Sequence, residues 1–307
     1  MTKLKDFMVA AGWTQDEFDT GNDRMSLHKS TVYVQFHWDN TDDIGIWQSL
    51  GYTGGNLPGN HPDDSGNIAA ATGAISTGRR INVLTNGPYI NHHFFASGDY
   101  VYAAIQISTG IWRHFGCGKV TKLGNWVGGE FLFGTYWHVI SVNSPLSVLH
   151  TTVCDVACTD NTIAACMHLE GMPGQGGTGK WGVFCDSATS GNDDASVARV
   201  PLIGGGRGGI YPNALCYYQL SAAQGLIPLA PIPAIYHRRG TSPQHIHILG
   251  FLPDFRQLNI GRFAPEQEVI VGPDTWIIFP QVNKIHDPAQ TTIPQTGNQG
   301  FAIKKIP

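Results

Sequence analysis

Glycine and proline interrupt this chain so often that no long regular helix has room to form. Of its 307 residues, 38 are glycine and 18 proline. A glycine in a helix interior costs about 1 kcal/mol relative to alanine, and a proline about 3 kcal/mol. The charge content points the same way. Only 14 % of residues are Asp, Glu, Lys or Arg, against about 25 % in an ordinary soluble domain, so the solvated faces of a helical bundle cannot be built. Disorder is excluded because 42 % of residues are apolar and the net charge is only -4, a balance that favours a packed core. The expectation is a mainly β protein of sandwich or barrel-like sheets, with a short helical N-terminal segment and long Gly/Pro-rich loops.

The pattern along the chain divides it into a helical arm (1–30), a main β domain (31–225) and a C-terminal β lobe (226–307). Leu4, Phe7, Met8 and Ala11 recur at helical spacing, so a helix is predicted over 3–20, with Gly12 stopping or bending it. TVYVQFHW (31–38) then alternates as a strand with Val32, Val34, Phe36 and Trp38 on one face. SLGYTGGNLPGNHPDDSGN (49–67), with five glycines and two prolines, reads as a surface crossing. DYVYAAIQIS (99–108) and IWRHFG (111–116) form a predicted hairpin about Thr109-Gly110, with Val101, Ala103, Ile105 and Ile107 on one face. GKVTKLGNWVGG (118–129) is predicted as another strand with a glycine-closed turn, and EFLFGTYWHVIS (130–141) as a strand again. Later come a glycine-rich stretch over 171–210 and one possible helical turn at 221–226. PLAPIPAIYHRR (228–239) reads as an extended linker or edge strand, since proline cannot donate to a ladder. Short strands follow at 245–252, 269–272, 275–282 and 301–306, with a turn at GPDT (272–275).

Most motifs that suggest chemistry lack the context the chemistry needs. GQGGTGK (174–180) has the spacing of a phosphate loop, but Trp181 stands where a hydroxyl should meet magnesium. GGGRGG (204–209) contains a dinucleotide-type spacing, but Tyr211-Pro212 follows instead of a helix. Both read as ordinary glycine turns. His150, Cys154, Cys158, Cys166 and His168 are the one cluster with zinc-compatible donors. Their β-branched, helix-poor surroundings and the lack of a compact C-x-x-C pair favour packed thiols, so no metal is assigned. His245 and His247 share a strand face without a third ligand nearby in sequence, and His92-His93 read as packing. Asp39, Asp42 and Asp43 lack the glycine-centred calcium-loop pattern. Glu130 with Asp99 or Asp155 would make a carboxylate pair for glycoside cleavage, but sequence supplies no geometry. No catalytic residue and no cofactor are therefore predicted, and the chain is read as a non-enzyme.

The pI near 6.3 and scattered Lys and Arg give no field for nucleic acid. No apolar run reaches the 18 or more residues of a membrane span. Asp6 interrupts the first apolar stretch and Asp16, Glu17 and Asp19 follow it, against a signal peptide. The six cysteines are read as buried free thiols of a protein made in a cytoplasm.

The run 92–137 resembles a segment of tailed-bacteriophage virion structural proteins. Its pattern is an aromatic strand, a W/Y-R-H-F-G-x-G turn and a G-x-W-x-G-G-x-F hairpin. Here these are Trp112, Arg113, His114, Phe115, Gly116 and Gly118, then Gly124, Trp126, Gly128, Gly129 and Phe131. Cys117 stands where the pattern has Phe or another apolar residue. LGFLPDFRQLNIGRFAPEQEVIVGPDTWIIFP (249–280), GNQGFAIKKIP (297–307) and the earlier SLGY (49–52) are similar too. The resemblance touches most of the chain and is densest in two blocks. It implies an assembly protein of the phage tail or its ends (baseplate, tail tip or neck), residing in the virion, with copies of itself and other virion proteins as partners. The expected packing is a symmetric ring through low-charge aromatic and Gly-rich surfaces, and the low charge content agrees, since it suggests a surface covered by other subunits. It brings no catalytic residues. Trp112, Arg113, His114, Phe115, Trp126, Phe131 and Trp276 are the expected interface or turn residues. The turn glycines are expected at positive φ, admitting close approach between neighbours. The alternative reading is a tail-end protein that binds or cleaves host carbohydrate, since flat aromatic rings stack on sugars.

Overall fold

The computed structural model describes residues 1–38, 43–49, 52, 79–82, 89, 91–134, 165–169, 181–184, 198–199, 229–238, 245–281, 283–284 and 299–306. The one helix among them, α1 (Thr2–Ala10), buries Leu4 and Met8. It ends earlier than the spacing predicts, and the hydrogen bonds give the reason. Trp13 N–H donates to Met8 O and Gly12 N–H to Val9 O, the Schellman closure, with Gly12 at φ 86. Lys29 Nζ adds a 2.7 Å bond to Ala11 O. The residues after Gly12, predicted as helix, are instead strand.

The strands form three antiparallel sheets. The first is a meander of β1 (Thr14–Asp19), β2 (Arg24–Lys29), β3 (Val32–Trp38), β4 (Asp43–Ser49) and β5 (Arg79–Asn82). In β3 the predicted face is right, since Val32, Val34 and Phe36 are fully buried. Next along the chain are β6 (Asn91–Ser97), β7 (Tyr100–Ser108), β8 (Ile111–Lys119), β9 (Thr121–Lys122), β10 (Gly128–Gly134), β11 (Ala165–Leu169) and β12 (Trp181–Phe184). All but β9 make the second sheet, in the order β12-β11-β10-β8-β7-β6. The third holds β13 (Ala198–Arg199), β14 (Ala230–Arg238), β15 (His245–Asn259), β16 (Glu268–Val271), β17 (Asp274–Pro280) and β18 (Gln299–Lys304). Its order is β13-β14-β15-β18-β17-β16, and β9 joins β15 from outside that path. No sheet closes into a barrel among the described residues.

The predicted hairpin of β7 and β8 is present, with Gly110 at φ 73 in its turn. Its burial goes beyond the prediction. Tyr100, Tyr102 and Ala104 are buried as well as Val101, Ala103, Ile105 and Ile107. Both faces of β7 are therefore covered, and the second sheet is the middle layer of three. Phe115 packs edge-on against Phe36 of the first sheet, with centroids 5.8 Å apart. On the other face Trp112 and His114 meet Phe279 of the third sheet at 5.1 and 6.0 Å. His114 also meets Phe301 at 5.3 Å, while Tyr102 and Phe133 pack on Phe255. The third sheet has a smaller core on its far face, built from Leu258, Trp276, Ile278, Ala302, Ile260 and Phe263.

The returning strand predicted at 111–116 is present and runs on to Lys119, so the segment that the family pattern makes a turn, Trp112–Gly118, is strand throughout. Gly116 stays out of the left-handed region and is small for another reason: an added Cβ would lie 2.4 Å from Tyr102 and 2.7 Å from Phe133. The close approach is thus within the second sheet, where Tyr102 of β7 and Phe133 of β10 are the direct cross-strand partners of Gly116. Gly118 (φ 149), Gly124 (φ 92), Gly128 (φ 113) and Gly129 (φ 101) do have the expected positive φ. Of residues 118–129, predicted as a strand with a glycine-closed turn, Gly118 and Lys119 end β8, Thr121–Lys122 form β9, and Gly128 and Gly129 open β10 after a loop. The proline-rich β14 is an extended strand near the sheet edge, with register shifts at Pro231/Pro233 and Ala234/Ile235. β15 runs past Pro253, where the sequence suggests a stop, with Asp254 at φ 49.

Replacing Gly116 with Ala is expected to destabilise the fold by about 1–3 kcal/mol, the usual range for overpacking a filled core. Urea denaturation would register this as a lower midpoint with an unchanged slope. An unaltered midpoint would mean that the rings of Tyr102 and Phe133 do not close over this position.

Candidate functional site

Of the residues singled out by the sequence, Trp112, His114 and Phe131 lie on the plane between the middle and third sheets, while Trp276 belongs to the core on the far face of the third. Alternation along β8 sends Trp112, His114 and Gly116 toward the third sheet and Arg113, Phe115 and Cys117 toward the first. Trp112, Arg113, His114, Phe115, Phe131 and Trp276 are all buried within the chain. Their role in the described structure is intrachain packing, where the sequence reading expects interface or turn positions. Trp126 is partly buried: its Nε1–H donates to Leu249 O at 3.1 Å, and the Lys122 ammonium lies 4.7 Å from its ring centroid. It straps the loop after β9 onto β15.

Polar groups tie the layers at particular points. His114 Nε2 lies 2.9 Å from Pro280 O; a carbonyl only accepts, so Nε2 carries the proton. Full burial pushes the His114 pKa down from 6.5 to about 4, and the imidazole is neutral at pH 7. Tyr100 donates its hydroxyl to Asp254 Oδ2 at 2.6 Å, and Tyr102 to Pro253 O at 2.8 Å. Burial first, then the Asp254 carboxylate, raises the Tyr100 pKa; burial dominates for Tyr102 also. These two tyrosines of β7 hold the bend of β15, where Asp254 takes its left-handed conformation. At the sheet's other end His93 Nε2 is 2.7 Å from Glu266 Oε1.

Toward the first sheet, Thr31 Oγ1 donates to Glu130 Oε1 at 2.7 Å, and Lys119 Nζ lies 3.6 Å from the same oxygen. The Glu130 carboxylate considered for glycoside cleavage is thus engaged in a tie between layers. Arg113 is buried on this side, where desolvation lowers its pKa to about 10, so it remains a cation at neutral pH. Burial likewise raises the Cys117 thiol, which keeps it protonated and unreactive.

Among the described residues, no group of three or more His, Cys, Asp or Glu is arranged to hold a metal. His150, Cys154 and Cys158 lie outside the described residues. Cys166 and His168 fall on β11, opposite Leu132 and Trp181 in register, but their side chains lie outside the described part. The same holds for Asp39, Asp42, Asp43 and Asp155, for the glycine motifs at 174–180 and 204–209, and for the side chains of His245 and His247. No described helix is long and apolar enough to cross a membrane. The large exposed hydrophobics among the described residues are aliphatic: Val9, Leu123, Val127, Ile248, Ile270 and Val271.

Sequence reasoning misses the pairs Tyr100–Asp254 and His93–Glu266. Each joins residues more than 150 positions apart, and no local periodicity reports such a partner. No family model and no curated protein matches the sequence.

The depressed His114 pKa has a consequence for stability. The unfolded chain takes up a proton near pH 6.5 that the folded chain refuses until about pH 4. The His114 contribution is complete above pH 6.5 and is lost as pH falls toward 4, by ~3 kcal/mol in total. Chemical denaturation across this range is expected to show that decline, and His114→Phe to flatten it while lowering stability at pH 7. A His114→Phe profile with the same slope as the parent would remove His114 as its source.

Proposed function

We propose that this chain is a non-enzymatic structural subunit of a bacteriophage virion. It belongs in the tail assembly, at the baseplate, tail tip or neck, where it packs with copies of itself and with other virion proteins. The observation that carries this reading is the resemblance of residues 92–137 and 249–280 to virion structural proteins of tailed phages. The fold adds support of a particular kind. Those two blocks, more than a hundred residues apart, supply the facing surfaces of the middle and third sheets: Trp112, His114 and Phe133 on one side, Phe255 and Phe279 on the other. The motif residues act as a unit in the fold, as a shared structural module would require.

The carbohydrate-binding alternative needs exposed flat rings. Among the described residues the large exposed hydrophobics are aliphatic, so none of these gives that reading a stacking platform.

Mass spectrometry of purified phage particles tests the assignment. Peptides of this chain are expected at a fixed small copy number relative to the major tail protein. Particles that contain none of its peptides would refute the reading. Isolated protein that binds or degrades host surface polysaccharide would replace it with the alternative.

A further inference from the structure

A sheet edge presents a row of unpaired N–H and C=O groups, and proteins usually guard it with charge, proline or a bulge. Three edge regions here are guarded. β1 carries Asp16, Glu17 and Asp19 and a bulge between Gln15 and Glu17. β14 carries Pro231 and Pro233 with two register shifts, and pairs with β13 at its end. β6 has α1 beside it, with Phe7 and Phe94 at 5.6 Å. A fourth, β16, is the outermost strand of its sheet and has none of these protections among the described residues. Its sequence is Glu-Val-Ile-Val. Ile270 is 77 % exposed and Val271 41 %, while its one charge, Glu268, is neutralised by Lys305 Nζ at 2.6 Å.

The register identifies which backbone groups face outward. Val271 pairs with Asp274 across the two-residue turn, and Ile270 with Thr275. Ile278 N–H donates to Gln267 O, so the 267/278 pair is of the hydrogen-bonded type. Alternation then makes Val269/Trp276 and Val271/Asp274 hydrogen-bonded pairs. Their N–H and C=O groups point into the sheet, and those of Glu268 and Ile270 point out of it.

We propose that β16 pairs antiparallel with β16 of a second copy of this chain, about a two-fold axis at Ile270. The two Ile270 residues exchange both N–H···O=C bonds, and their side chains meet on one face. On the other face Val269 of each copy lies opposite Val271 of the other. Every cross-strand pair next to the axis is apolar, and Glu268 faces Gly272. A parallel in-register pairing would instead set Glu268 against Glu268, the like-charge opposition that destabilises a ladder. The self-complementary sequence is what selects a second copy as the occupant. The contact is isologous and closes as a dimer. It goes beyond the proposed virion role and does not depend on it, because the purified chain alone must show it.

An interface of one added strand is well below the ~1,600 Å² of a standard interface, so the dimer is weak and concentration-dependent. Sedimentation equilibrium of the purified full chain is expected to show a reversible monomer–dimer equilibrium. Ile270→Lys and Ile270→Glu are each expected to weaken it at least tenfold with the melting temperature unchanged, since the side chain is exposed. An equimolar mixture of the two variants is expected to regain association. Independently, the Ile270→Cys variant under mild oxidation is expected to form a disulfide between the two copies at this position, seen by mass spectrometry as a cross-linked dimer of the peptide that carries the substitution. The paired Cα atoms would lie about 5.5 Å apart, inside the roughly 4.4–6.8 Å span of a disulfide. Glu268→Cys, whose copies would lie ~13 Å apart along the strands, is expected to give none. The proposal fails if the parent chain is monomeric at every concentration, if the mixture associates no better than its components, or if Glu268→Cys links as readily as Ile270→Cys.

Discussion

A strand covered on both faces must present side chains that can be buried at nearly every position, and β7 and β8 meet that demand. Tyr100 to Ile105 are all buried, as are Ile111 to Gly118. Each of these strands has a neighbour on both sides, so its backbone polar groups are satisfied within the sheet. The requirement spreads outward. The first sheet must offer Val32, Val34 and Phe36 to one side, and the third must offer Phe255, Phe279 and Phe301 to the other. The hairpin cannot be built without both flanking sheets, and neither flanking sheet has another partner for these residues among the described elements.

Aromatic rings fill the gap toward the third sheet, and their size dictates where glycine must stand. Tyr102 and Phe133 meet over Gly116, where even a methyl group would come within 2.4 Å of a ring carbon. Apolar packing alone is permissive about sliding, because one ring replaces another at little cost. The hydrogen bonds of Tyr102 to Pro253 O and His114 to Pro280 O are directional, and each would be left buried and unsatisfied by a shift. These ties therefore fix the alignment of sheets that the rings hold together. Arg113 and Glu130 occupy the opposite face, where the hydrogen bond from Thr31 to Glu130 acts on the first sheet in the same way.

The elements legible in the sequence are those whose signal is local. The alternation of Val32, Val34 and Phe36, the Thr109-Gly110 and GPDT turns, and the prolines of β14 all report their structure directly. Helix α1 is shorter than its period suggests because Leu4, Phe7 and Met8 set a spacing that Gly12 ends by left-handed geometry, with Trp13 closing the Schellman bond. The strand at 111–116 is legible too, and only the family pattern makes Trp112–Gly118 a turn, because its glycines look like turn residues. The smallness of Gly116 admits the rings of its cross-strand neighbours Tyr102 and Phe133, and the third-sheet Phe255 on which those rings pack is encoded more than a hundred residues away. The polar pairs Tyr100–Asp254 and His93–Glu266 are invisible for the same reason.

The low charge content acquires a different meaning in a three-layer protein. In a two-layer sandwich each strand keeps a face for solvent, and charge accumulates there. Here the middle sheet has no such face at its centre, and strands such as β7 and β8 have almost no position where a charge is cheap. Arg113 shows the exception: burial lowers its pKa to about 10 without neutralising it. Part of the surface that composition suggests is covered by other subunits is thus covered by the chain's own sheets. Composition then counts for less in the functional reading and the motif blocks for more, since they are the segments that create the covered layer.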